Sequence, residues 1–335
     1  MTETGPPTDG TNQTRDASDA SREKRVGNAD GNVSRDGVSR PWHEVATVRR
    51  SPGEVPFPPL QPDHLFFNVS LMPYAMHPCV CELGQSVRQQ LSALRLADYL
   101  NKTERVELHI VNRAVEFMLD VPGIASVNRE DLLAIYTDEG FHTWMMERFR
   151  RDVLRQSGHV LSQGPSLAVI RVLSLCETVP QAYRGLAIMA AASVTETLIT
   201  GTLRRAGASD DVYPPVRVLL ADHASDEMRH QAAFVRFVSE WVPMLSCAER
   251  ECLDTLIPEL MMAFLAPELP TWRDHLCAVG LEEAVADRVI RESVDPLEIG
   301  VQMMEAALVP RRLFERLGLS CAETFARRAS RWRLP

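Results

Sequence analysis

Aromatic residues make up only 6% of this 335-residue chain, and it has no long uninterrupted apolar run. The longest uncharged apolar stretch, about Gly185 to Thr195, is too short to span a bilayer and ends at Glu196. The N-terminal residues show no basic-then-apolar signal layout, so secreted and transmembrane readings are set aside. Basic charge is also short: 36 Lys and Arg against 45 Asp and Glu leave a net charge of −9. No basic stripe is available for a polyanion, which disfavours a nucleic-acid partner. The seven cysteines include no C-x-x-C pair and are odd in number. Free thiols in a reducing, cytoplasmic setting are the simplest reading. Period-two alternation is almost missing, so strands are not expected.

Helical texture fills the space those absences leave. The chain is 45% hydrophobic, enough for a sizeable core without disulfides. Residues 1–40 hold few large apolar groups and read as a disordered tail. Residues 41–80 are Pro-rich and read as an extended arm packed on the domain surface, with short helical turns at most. From 81 to 320, apolar residues recur at helical spacing, predicting helices at about 83–98, 101–120, 129–156, 165–176, 180–206, 213–242, 247–266, 281–291 and 296–317. Residues 321–335 are left as a C-terminal tail. The expected fold class is all-α, a four-helix bundle with additional peripheral helices.

Two segments carry the chemistry. Asp138-Glu139-Gly140-Phe141-His142 and Asp226-Glu227-Met228-Arg229-His230 both read D-E-x-x-H, and no other Glu-x-x-His occurs. Residues three apart share one helix face, so each pair can offer a carboxylate and an imidazole to one metal ion. Two such pairs, with one Glu from each of two further helices, make the di-iron or di-manganese site of a four-helix bundle. The single glutamates should interrupt apolar stripes. Glu104 interrupts Leu100, Leu108, Val111, Val115 and Met118; Glu196 interrupts Met189, Ala192, Ile199 and Leu203. A lone carboxylate in such a stripe is costly unless paired or metal-bound. Glu107 competes with Glu104 on the same helix, and the stripe favours Glu104. His223 stands four residues before Glu227, on the same arc, and adds a third imidazole. The candidate metal ligands are therefore Glu104, Glu139, His142, Glu196, His223, Glu227 and His230.

Oxygen and imidazole ligands without thiolate suit two iron ions, with manganese the lesser candidate. Asp138 and Asp226 are expected outside the ligands, each accepting the Nδ1–H of the other motif's histidine, in the cross pairs Asp138–His230 and Asp226–His142. The blander readings are weighed alongside. One E-x-x-H alone is usually a solvated pair, and His223 alone could be a core histidine. The methionine pairs read as core filling.

At these residues the chain resembles the ferritin-like di-iron N-oxygenases, the family of the aminobenzoate N-oxygenase of aureothin biosynthesis. The similar segments are Pro73-Tyr74-Ala75-Met76-His77-Pro78, Glu104-Arg105-Val106, Asp138 to Thr143, Glu196-Thr197 and the H-x-x-D-E-x-x-H string from His223 to His230. They fall within about residues 65–320. Within that family the chain looks most like the arylamine oxygenase of chloramphenicol biosynthesis. The resemblance implies a ferritin-like bundle, O2 as co-substrate, an external electron donor and a homodimer. It also implies oxidation of an aryl amine to a nitro group through hydroxylamine and nitroso stages. One turn after Glu196 the aminobenzoate enzyme carries an amide side chain. This chain has Thr200 there, which argues against benzoate. Arg311 matches a segment with a substrate-facing arginine and is a candidate pocket residue. Three other classes compete: a ferroxidase or storage protein, a radical-generating subunit using Tyr136, and a helical interaction protein with a vestigial site.

Overall fold

Caps and breakers delimit the helices. Asn128 accepts a hydrogen bond from the Asp131 amide at the start of one long helix, and Gly158 ends it in the left-handed region. Tandem prolines at 214 and 215 open another. Ser246 and Glu249 form a capping box at a third. Residues 41–49, 58–158, 164 and 166–334 are described by a computed structural model. The tail assigned to residues 1–40 lies outside these described residues.

The helices are α1 (Trp42–Val45), α2 (Pro78–Cys81), α3 (Gln85–Val106), α4 (Asn112–Asp120), α5 (Arg129–Ser157), α6 (Leu167–Thr178) and α7 (Arg184–Ala206). They continue with α8 (Pro214–Trp241), α9 (Cys247–Leu265), α10 (Leu269–Ala278), α11 (Glu283–Ser293), α12 (Pro296–Ala306), α13 (Leu308–Arg316) and α14 (Cys321–Ala329). A π turn at Glu107–Val111 joins α3 to α4, so the break expected near residue 100 does not occur. The described residues contain no strand, only an isolated bridge between Leu65 and Val212. The fold is all-α and ferritin-like.

Two helical hairpins build the bundle. The long rod of α3, the π turn and α4 packs along α5, and α7 packs along α8. The hairpins meet where the π turn and α4 touch α7 and where α5 touches α8. The α7 helix is apolar nearly all round, the pattern of a buried helix. Residues Gln181–Ala206 are long and apolar enough to cross a membrane, yet 83% of their most apolar window is buried inside the fold. Around this core, α9 covers α6 and α7, and α13 rests on α7.

Three segments depart from the sequence-drawn outline. Residues 58–81 carry only short helical turns, but Phe66, Phe67, Met72 and Tyr74 sink into the core rather than lying on its surface. Residues 321–329, assigned to a tail, form α14, which packs against α9 through the fully buried Phe325 and Ala329. Residues 269–278, given no helix, form α10, held by the buried Trp272 and His275.

Close approach decides one glycine. A Cβ at Gly300 of α12 would stand 2.6 Å from the Ala329 carbonyl oxygen of α14. Gly300→Ala is therefore expected to cost about 1–3 kcal/mol, read as a lower melting temperature. His275, 2% exposed, is pushed down to about 3 by burial, with the Arg95 charge adding to it. Its folded pKa lies below the ordinary value, so the unfolded chain takes up a proton that the folded chain refuses. Stability from this group is thus full above about pH 6.5 and declines as pH falls from there toward about 3. In urea melts between about pH 6 and pH 4, His275→Gln should flatten the acid slope by at most ~1.4 kcal/mol per pH unit.

Candidate metal centre

Each long helix of the bundle aims at least one carboxylate or imidazole inward. The π turn supplies Glu107; α5 supplies Glu139 and His142; α7 supplies Glu196; α8 supplies His223, Glu227 and His230. All seven are 0–1% exposed, so water cannot be what solvates their charges.

Glu227 is the hub. Its Oε1 lies 3.0 Å from His223 Nε2, 3.4 Å from His230 Nδ1 and 3.5 Å from His142 Nδ1. Around it, Glu107 Oε1 lies 2.9 Å from His223 Nε2, and Glu139 Oε1 lies 2.8 Å from His230 Nδ1. The side chains form two overlapping four-residue groups. One is Glu107, His142, His223 and Glu227; the other is Glu139, His142, Glu227 and His230. In each group one ligand atom per residue falls within 4.8 Å of the others. His142 and Glu227 belong to both, so the two groups lie side by side and could hold two neighbouring ions. Glu196 stands beside these groups, close enough for the charges of Glu227, Glu139 and Glu107 to act on it.

Burial and mutual charge pull the groups of the cluster in opposite directions. Burial, reinforced by the Glu227 and Glu139 charges, holds Glu196 well above the usual carboxylate range. Burial lifts Glu107 to about 7 against the opposing pull of His223. Burial also works against ionisation of Glu227, yet the His230 charge and hydrogen bonds from the three histidines outweigh it and hold Glu227 low. His142 and His230 are raised well above their ordinary value: burial opposes the charged form, and the surrounding carboxylates outweigh it. The imidazoles therefore carry the countercharge when no metal does.

The residues present fit a metal pair. Both carboxylate oxygens of Glu196 and the Oε2 atoms of Glu107, Glu139 and Glu227 are buried without a hydrogen-bond partner. Such orphaned atoms, converging from four helices, are what a bound cation would satisfy. Oxygen and imidazole donors with no thiolate suit iron or manganese.

The structure corrects the sequence reading at Glu104. That side chain is half-buried near Arg150 and Glu147, away from the groups, and Glu107 takes its place. The cause is the π turn. A wider turn inserts about one extra residue into the helix and slips the buried face by one position. Leu108, expected inside, is 44% exposed, whereas Val106, Glu107, Ile110 and Val111 face inward. An unbroken 3.6-residue period averaged over Leu100, Leu108, Val111, Val115 and Met118 therefore arrives at the wrong glutamate.

Both cross pairs between the aspartates and histidines form, but through the other ring nitrogen. His230 Nε2 donates to Asp138 Oδ2 at 3.1 Å, and His142 Nε2 to Asp226 Oδ2 at 3.3 Å. This leaves Nδ1 of each ring turned to the cluster. Sequence reasoning missed further partners on those aspartates. Trp42 Nε1 donates to Asp138 Oδ1 at 2.8 Å, and Thr47 donates to Asp226 from its amide at 3.0 Å and its hydroxyl at 2.5 Å. Arg229 Nη2 reaches both carboxylates, at 3.1 and 2.5 Å. Only the Arg, lying inside the second motif, left a signal in the sequence.

A cavity of about 430 Å³ adjoins the cluster. Tyr99, Thr103, Val106 and Ile199 line it; Thr103, Val106 and Ile199 are about one turn or less from Glu107 or Glu196 along their helices. Its polar side carries Arg95, Lys102, Glu268 and Trp272. Lys102 Nζ donates to the Phe264 carbonyl at 3.0 Å and lies 4.2 Å from that ring's centre. Burial lowers the ammonium to about 8, opposed by Glu268. Thr200 and Arg311 do not line this cavity. The α7 face that does is Ile199, Thr202 and Arg205, and Thr200 lies on the neighbouring arc with its buried hydroxyl lacking a partner. Arg311 is half-buried on α13. Tyr136 points outward, 39% exposed, with its hydroxyl on Glu116 at 3.3 Å.

The sequence model of the p-aminobenzoate N-oxygenase AurF family matches residues 55–306, well over half of the chain. The chain belongs to that family. A relative, the 4-aminobenzoate N-oxygenase of Streptomyces thioluteus, is 24% identical over 270 residues, covering 77% of this chain and 78% of that protein. The AurF-type chain is thus an N-oxygenase, an oxidoreductase, and the family implies a di-metal centre. The geometry matches that implication through the two groups that share His142 and Glu227.

Glu107→Ala is expected to lower the metal bound per chain, measured by elemental analysis after reconstitution. Glu104→Ala should leave the metal content at the wild-type value.

Proposed function

We propose that this AurF-family enzyme oxidises an aryl amine to a nitro group, through hydroxylamine and nitroso stages, at a di-iron centre. The observation that carries this reading is the convergence of four buried glutamates and three histidines beside a cavity of arylamine size. The ligands are Glu107, Glu139, His142, Glu196, His223, Glu227 and His230. When bound, two iron ions would activate O2, with electrons from an external donor, for oxygen transfer to the amine nitrogen.

The protein's own residues do the rest. The cavity presents Val106 and Ile199 next to the ligands, surfaces that seat an aromatic ring and displace water from it. Tyr99 and Thr103 bring the ring edge toward Glu107. At the polar side, Lys102 and Arg95 are offset by Glu268. Glu268 accepts from Ser166 Oγ at 2.9 Å and the Ala168 amide at 2.8 Å, while its other oxygen, the Trp272 indole N–H and the Tyr99 hydroxyl have no hydrogen-bond partner. Such mixed, partly unengaged groups suit a neutral para-substituent bearing hydroxyl or amide groups better than a benzoate. That agrees with Thr200 replacing an amide side chain, and with a chloramphenicol-type antibiotic pathway. The enzyme would work in the cytoplasm as a homodimer, with no nucleic-acid or membrane partner.

The test is reconstitution with Fe(II), reduction, addition of O2, and a panel of para-substituted anilines followed by chromatography. Nitroarene should form, with hydroxylamine and nitroso species appearing first. Glu196→Ala and His230→Ala should abolish it. Loss of iron binding without loss of fold would remove the oxygenase; a wild-type chain that oxidises Fe(II) and no amine would point to iron handling instead.

A further inference from the structure

The segment Pro41–Arg49 lies across α5 and α8, far from them in sequence. Its contacts are selective. Trp42 Nε1 donates to Asp138 Oδ1 at 2.8 Å, a link spanning 96 residues. Thr47 reaches Asp226 with two donors: its amide at 3.0 and 3.1 Å to the two oxygens, and its hydroxyl at 2.5 Å. These are the two aspartates that accept from His230 Nε2 and His142 Nε2. Each aspartate is 0% exposed and is shared between a histidine, the segment and Arg229. Ala46, between the two donors, is 0% exposed, and the Arg49 guanidinium lies 5.8 Å from the centre of the Trp42 ring.

We propose that Trp42 and Thr47 are positioning residues: they clamp Asp138 and Asp226 from outside and so fix the ring orientation of His230 and His142 toward the metal pair. This rests on the metal-centre reading above. A carboxylate orients an imidazole firmly only when further hydrogen bonds hold it, because a singly bonded carboxylate swings about its side-chain torsions. The two α-helical motifs supply the first partner of each carboxylate. Trp42 holds the Asp138 oxygen that His230 does not use; at Asp226 the Thr47 amide and Arg229 hold Oδ1, while the Thr47 hydroxyl shares Oδ2 with His142 and so limits the swing of the whole carboxylate.

The test uses the full chain loaded with Co(II) as a spectroscopic probe. Wild type, Trp42→Phe, Thr47→Val, Thr47→Ser and the control Val48→Ala are compared. Three quantities are read: uptake of metal, the ligand-field spectrum with the rate of transfer to a chelator, and the melting temperature of each apoprotein. Trp42→Phe and Thr47→Val should release metal about 10-fold faster and show a changed spectrum. Thr47→Ser should recover the wild-type values, and Val48→Ala, an apolar change in the same turn, should match wild type. Release within about twofold of wild type in both donor variants overturns the proposal. So does a control that accelerates release as much as they do, with a parallel drop in apoprotein melting temperature, since packing alone would then explain the effect. A wild-type chain that takes up no metal overturns the metal centre and this proposal together. Uptake with equal release in every variant overturns this proposal alone.

Discussion

Four carboxylates share a core from which water is excluded, and no lysine or arginine stands among them. The cost of that arrangement governs much of the fold around it. Isolated buried carboxylates would neutralise or unfold the bundle, so their charge has to be met from within. The three imidazoles meet it in part, drawing Glu227 into the ionised form while Glu107 and Glu196 are driven toward protonation. The same carboxylates and imidazoles could hold a pair of cations, which would meet that charge more fully.

The surrounding architecture distributes the work. Helices α5 and α8 each carry ligands on the inner face and an aspartate on the adjoining one, so each helix orients the other's histidine. The rod formed by α3 and α4 contributes its glutamate from a π turn, where a widened coil places one more residue on the inner face. The same rod, with α7, lines part of the cavity. The polar side of the cavity balances Lys102 and Arg95 with Glu268.

Peripheral elements contribute through a few well-placed contacts. Phe66, Phe67 and Tyr74, from a segment with almost no regular structure, fill the core beside α3. Helix α14 comes close to α12 because Gly300 has no Cβ to meet the Ala329 carbonyl. Pro41–Arg49 reaches the aspartates with two side chains and one backbone amide. In each case a side chain or its absence, rather than a long interface, sets the geometry.

The sequence alone determined the helical class, the doubled D-E-x-x-H motif, the third histidine and the glutamate on α7. Each follows from a periodicity that a regular helix obeys, so spacing in the chain maps onto one face. It also gave the cross pairing of the aspartates, since that needs only two antiparallel motif helices. Tertiary structure decided what depends on departures from regularity or on distant segments. The π turn selected Glu107 over Glu104 because one extra residue rotates a face. The histidine nitrogens were assigned by where the carboxylates stand. Trp42 and Thr47 entered the site, and residues 269–278 and 321–329 became helices, through contacts with residues far away in the chain, which no local pattern encodes.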